Sequence, residues 1–147
     1  MKDLINFYLK RGQLIKDENV IVLSKEYLKK AKNNLITMNI LSEIQENKKV
    51  RDLLKIPSDY NSDEWVVITG YYAMYASALA LIAKIGYRSK NHTATIILLE
   101  EFFIKKKIMS KEDIRLLRKA IIQKKEIEKL SEAKHKREIA QYSVTKQ

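Results

Sequence analysis

Arg88 and His92 are the side chains of this sequence best suited to chemistry, and both lie in what reads as one tight polar turn between two helices, Gly86-Tyr87-Arg88-Ser89-Lys90-Asn91-His92. Histidine titrates near neutrality and can take or give a proton. Arginine presents a planar fork of donors that matches a phosphate. Cleaving RNA without a metal needs a base for the 2′-hydroxyl, an acid for the leaving oxygen and a cation for the charge building on the phosphate. Arg88 and His92 are therefore the candidate catalytic pair. Lys84, Ser89, Lys90 and Asn91 are candidate contacts to phosphate or RNA. His92, near the start of a helix, would also sit where backbone N–H groups favour an anion. The plainer reading of His92 is a helix cap, or a buried histidine satisfied by backbone. His135 lies among Lys, Arg and Glu and reads as a solvated surface residue.

Other chemistries lack their residues. The chain has no cysteine, which excludes disulfides, zinc–thiolate sites and thiol nucleophiles. No two of the three glycines are close enough to cradle a phosphate. The adjacent carboxylates Asp63-Glu64 and Glu100-Glu101 point to different faces of a helix, so no metal site is expected. No Ser-His-Asp set can be argued, and no cofactor is expected. Net charge is +11, and residues 105–147 hold 14 Lys/Arg against 6 Asp/Glu. A basic surface of this kind attracts nucleic acid or another polyanion, or simply keeps a face solvated.

The elements that must position these residues are helical. Only three glycines and one proline occur in 147 residues, of which 46% are apolar. So few turn residues argue against a sheet and for a small number of long helices. Five are expected. The first runs from Lys2 to about Arg11 and ends near Gly12. The second follows Asp17-Glu18-Asn19 and runs to about Lys48, with Leu28, Ala31, Leu35, Met38, Leu41 and Ile44 forming one buried stripe. Residues 53–61 form a loop. Asn61 and Glu64 read as a capping pair opening the third helix, which stops near Gly86. The fourth runs from Asn91-His92-Thr93 to Lys105-Lys106-Lys107. The fifth opens at the Ser110/Asp113 cap, carries Ile114, Leu117, Ile121, Ile127 and Leu130, and continues to about Tyr142 with a charged extension from about 131.

No linker divides the chain, so 1–147 reads as one all-α domain, a helical bundle. Gly70, Ala73, Ser77, Ala80 and Ala83 give the third helix a face of small residues, open to close approach by a helix of this chain or of a second subunit. Tyr71, Tyr72 and Tyr75 read as core or interface residues rather than a base-stacking platform. No apolar run reaches the roughly 18 residues that cross a bilayer, since 73–85 is interrupted by Ser77 and Lys84. No signal-peptide core follows Met1, and a cytoplasmic protein is the default expectation.

The string Tyr71-Tyr72-Ala73-Met74-Tyr75-Ala76-Ser77-Ala78-Leu79-Ala80-Leu81, followed by the segment 86–92, resembles the HEPN superfamily of small helical proteins. The nearest group is the stand-alone prokaryotic HEPN proteins of the uncharacterised UPF0332 type. Arg137-Glu138-Ile139-Ala140-Gln141-Tyr142 resembles the Arg-x-x-Ala-Asp-Tyr element of that family's last helix, and the likeness covers roughly 19–142. The resemblance implies an antiparallel, up-and-down bundle that forms a homodimer. It implies a minimal nucleotidyltransferase as antitoxin partner to a HEPN toxin. It also implies metal-independent endoribonuclease activity, with Arg88 and His92 as the motif and two copies meeting to form the cleft. Here three residues separate Arg88 from His92, one fewer than in the shortest usual form, and Ser89 is the polar follower. Ala94 stands where some family toxins carry a tyrosine that the partner modifies with AMP. The alternative expectation is a non-catalytic HEPN module that binds a nucleotide or phosphate, or docks the nucleotidyltransferase.

Overall fold

Scarce turn residues do produce long helices, and the chain is an all-α helical bundle. The computed structural model describes residues 1–144. Residues 145–147, the end of the domain expected to span 1–147, lie outside the described residues, as do the side chains of Glu138 and Tyr142 in the last-helix element. Six α-helices are present among the described residues: α1 (Lys2–Lys10), α2 (Leu23–Glu46), α3 (Lys48–Leu53), α4 (Asp63–Lys84), α5 (His92–Leu99) and α6 (Lys111–Val144). Two short strands, β1 (Leu14–Lys16) and β2 (Tyr87–Ser89), complete the described fold.

Helix α4 is the centre of the bundle. Near one end, the Ser24 hydroxyl of α2 donates to the Ala80 carbonyl at 2.9 Å. Near the other, the Ser62 hydroxyl donates to the Leu41 carbonyl at 2.8 Å. The two helices are therefore antiparallel. Between these ties, a Cβ on Gly70 would stand 3.2 Å from the Met38 sulfur. At Gly70 and Ala80 the small-residue face thus brings α2 close within this chain. On the other side α4 meets α5 and α6, through Ala78, Ile82, Leu98, Leu99, Ile114, Leu117 and Ile121, all buried. By length and composition α4 is apolar enough to cross a membrane, with mean hydropathy 1.7, which the interruptions at Ser77 and Lys84 did not suggest. In this fold seven of its residues are buried in the bundle.

Side-chain capping explains where the helices differ from expectation. A 3₁₀ turn (Glu18–Val22) precedes α2, because the Asp17 carboxylate accepts the Asn19 N–H at 2.9 Å. Asn47 breaks the expected 20–48 helix: its backbone is extended and its side chain accepts the Val50 N–H at 3.2 Å, opening α3. Asn61 and Glu64 do not form the expected capping pair. Asn61 accepts instead from Asp63 at 2.8 Å, and Ser62 is buried against α2. Helix α5, expected to run on to Lys105-Lys106-Lys107, gives way after Leu99 to a π-helical turn, Glu100–Ile104. The Ser110/Asp113 cap forms as expected, each side chain accepting the other's N–H, at 3.2 and 2.8 Å.

The larger correction concerns residues 86–90, which are not a free turn. Strand β2 pairs antiparallel with β1, in the register Leu14↔Ser89, Ile15↔Arg88 and Lys16↔Tyr87. The Asp17 N–H donates to the Gly86 carbonyl at 2.8 Å, and the Lys90 N–H to the Gln13 carbonyl at 2.9 Å. Leu14 and Tyr87 pin the ribbon to the core, at 1% and 7% exposed. Gly86 makes the turn out of α4 at φ +82°, and a Cβ there would meet nothing closer than the Asp17 carbonyl at 3.7 Å. The cost of a side chain is therefore conformational rather than steric. Gly86→Ala should lose about 1–2 kcal/mol, read as a lower urea midpoint with an unchanged slope, and Gly86→Asn should lose less. An alanine variant as stable as wild type would contradict this account.

Candidate functional site

His92 opens α5 because Asn91, with extended backbone, caps the helix: its side-chain oxygen accepts the Ala94 N–H at 3.0 Å. That contact commits the Asn91 side chain to capping, although the amide Nδ2, the group able to donate to a phosphate, is not the atom it uses. Ser89 is similarly engaged. Its hydroxyl donates to the Asn91 carbonyl at 2.8 Å and accepts from Thr95 Oγ1 at 2.8 Å, while Thr95 meets the Tyr75 hydroxyl at 3.1 Å. With each hydroxyl supplying one proton, the run Tyr75→Thr95→Ser89→Asn91 carbonyl is self-consistent.

His92 is half-buried against two tyrosines of α4. Its Nε2 lies 2.7 Å from the Tyr71 hydroxyl. Its ring stands edge-on to Tyr71 and Tyr75, with centroids 5.9 and 4.7 Å away. Nδ1 has no hydrogen-bond partner among the described residues. Because no buried side-chain nitrogen or oxygen among the described residues lacks one, Nδ1 reaches solvent. Burial first, then the nearby Lys125 and Lys124, lowers the His92 pKa below the ordinary 6.5, which favours the neutral imidazole. Burial also pushes the Tyr71 phenol up to about 12. Tyr71 therefore stays a hydroxyl, able to donate to Nε2 or accept from it, and either imidazole tautomer can be held.

The cations facing His92 come from α6. Lys124 Nζ sits 4.8 Å from the centre of the Tyr71 ring and 5.4 Å from that of Tyr72. It also pairs with Glu128 at 2.8 Å, and that bond raises the lysine's pKa. Arg88, by contrast, is exposed on β2. Strand alternation turns it to the face opposite Tyr87 and Ser89, and no hydrogen bond or ion pair joins it to His92 among the described residues. Lys84 ends α4 and is exposed, as is Lys90. Within one chain the structure thus sets His92 beside the Ser89–Thr95–Tyr75 run, through its ring contact with Tyr75, but leaves Arg88, Lys84 and Lys90 on the surface.

Tyr71, Tyr75, Thr95, Lys124 and Lys125 complete the site, and sequence reasoning did not name them as site residues. The four-residue spacing of Tyr71 and Tyr75, and the three-residue spacing of His92 and Thr95, put each pair on one helix face. That was the available signal. Nothing local links Lys124 to His92.

By NMR, the His92 midpoint should fall below 6.5 in the wild type and rise in the Lys124→Gln/Lys125→Gln double variant, which removes two cations opposing protonation. An unchanged midpoint would show that the lysines do not act on this ring. Tyr71→Phe strips the ring nitrogen of its partner and should cost about 1–2 kcal/mol in chemical denaturation.

No protein-family model, curated protein or solved structure matches this chain.

Proposed function

We propose that this chain is a HEPN toxin-like protein: a cytoplasmic, metal-independent endoribonuclease that works as a homodimer and is paired with a minimal nucleotidyltransferase antitoxin. The reading starts from the resemblance carried by 71–81 and 86–92. One observation carries the chemistry. His92 is an imidazole oriented through Nε2 by Tyr71, with Nδ1 reaching solvent and its pKa lowered by burial and by the charges of Lys125 and Lys124.

In the tautomer with Nε2–H donating to Tyr71, the Nδ1 lone pair takes the proton of an RNA 2′-hydroxyl. The 2′-oxygen bonds to phosphorus as the bond to the 5′-oxygen breaks. The imidazolium formed in the first step is the acid that returns a proton to the departing oxygen. Lys124 and Lys125 offset charge on the phosphate, and the exposed Arg88 is left for the cleft shared with a second copy. A non-catalytic module that binds phosphate or docks the nucleotidyltransferase is the second reading. It is favoured by the separation of Arg88 from the His92 network and by the local engagement of Ser89 and Asn91.

The test is RNA cleavage by purified protein in excess chelator. His92→Ala should lose at least 100-fold, in the range of general acid–base contributions. The acid limb of the wild-type pH–rate profile should have its midpoint below 6.5, because the base works only when unprotonated and its pKa is lowered. Equal residual cleavage by wild type and His92→Ala would sink the catalytic reading.

A further inference from the structure

A cavity of about 500 Å³ lies between the π-helical turn after α5 and the first turns of α6, sharing no lining residue with the His92 site. Such a volume suits a small-molecule ligand. Ile104 and Ile114 supply apolar wall, Ile114 being buried. Around them stand four cations, Lys105, Lys111, Arg115 and Arg118, against one lining carboxylate, Glu100. The long stems of these cations extend the apolar surface while their heads face water.

The head group that fits is already visible. Arg115 grips Glu112 through Nε and Nη2, at 2.7 and 2.6 Å, and Arg118 holds Glu100 at 3.1 Å. Both pairs are solvent-exposed, so each contributes little and can exchange one carboxylate for another. Lys111 makes no ion pair among the described residues. The wall itself is unusual. In the π-helical turn the Lys105 N–H reaches back to the Glu100 carbonyl at 3.1 Å, and Lys107 follows with φ +58°. Turns of this kind are frequent at functional sites.

The geometry points to a binding site for an amphipathic carboxylate, its aliphatic chain lying on Ile104 and Ile114 and its head meeting Lys111, Arg115 and Arg118. This site is independent of the RNA-cleavage reading and is measured without it. Calorimetric titration of the full chain with dodecanoate, below its micelle-forming concentration, should show saturable one-to-one binding. Acetate, which lacks the chain, and dodecyltrimethylammonium, which reverses the charge, should each bind at least tenfold more weakly. Lys111→Gln/Arg118→Gln should weaken dodecanoate at least tenfold with the circular dichroism spectrum unchanged. Should that variant fold poorly, contacts from labelled dodecanoate to the Ile104 and Ile114 methyls in the wild type decide the matter by NMR. Binding of dodecanoate no tighter than of dodecyltrimethylammonium, an affinity unchanged in the folded double variant, or absent methyl contacts would overturn the proposal.

Discussion

The pairing of β1 with β2 is the constraint on which the His92 site depends. Each strand has only three residues, and an isolated ribbon of that size is marginal in water. It persists because Leu14 and Tyr87 are sunk into the core and because backbone bonds at 13–90 and 17–86 close both of its ends. Once β2 is held flat, alternation dictates the rest. Tyr87 faces in, Arg88 faces out, and Ser89 comes to Thr95. Asn91 can then cap α5 with His92 as its first helical residue. A free turn would have left the relation of Arg88 to His92 open, whereas a paired strand separates their surroundings.

The electrostatics follow from packing more than from charge count. A histidine exposed on so basic a chain would be lowered only slightly, because water and salt screen the surrounding cations. Half-burial against Tyr71 and Tyr75 removes much of that screening, and desolvation is the largest effect on His92. The same tyrosines seat Lys124, which lies against the Tyr71 and Tyr72 rings and is steadied by Glu128. Ring contacts of this sort are worth about 0.5–1 kcal/mol at exposed sites. Tyr71 thus does three things at once: it packs in the core, bonds Nε2 and carries the lysine that opposes protonation of the ring.

Helix α4 makes this economy possible. Its small residues let α2 approach closely on one side, leaving the opposite side for α5 and α6. The buried stripe of α6 includes Ile114, Leu117, Ala120 and Ile121, and Leu130 is already 63% exposed. Beyond the bundle the helix is a charged extension, as the composition from about 131 suggests.

Much of this architecture was legible in the residues, because helix formation and capping are local. The scarcity of glycine and proline, the stop at Gly86 and the Ser110/Asp113 cap all act within a few positions of themselves, whereas the stripe expected to be buried along α2 is buried only at Ala31, with Leu28 and Leu35 exposed. The local signals determined an all-α fold and marked His92 as a helix-start residue, but they missed the break at Asn47 and the π-helical turn after Leu99. Three-residue strands some seventy positions apart carry no periodicity, so only tertiary packing decided that 14–16 meets 87–89. Packing likewise decided that Arg88 faces away, that Tyr71 bonds His92, and that the cations beside that ring are Lys124 and Lys125 rather than the lysines flanking it in sequence. Burial is a property of the assembled chain, and it is burial that sets both the orientation and the charge of His92.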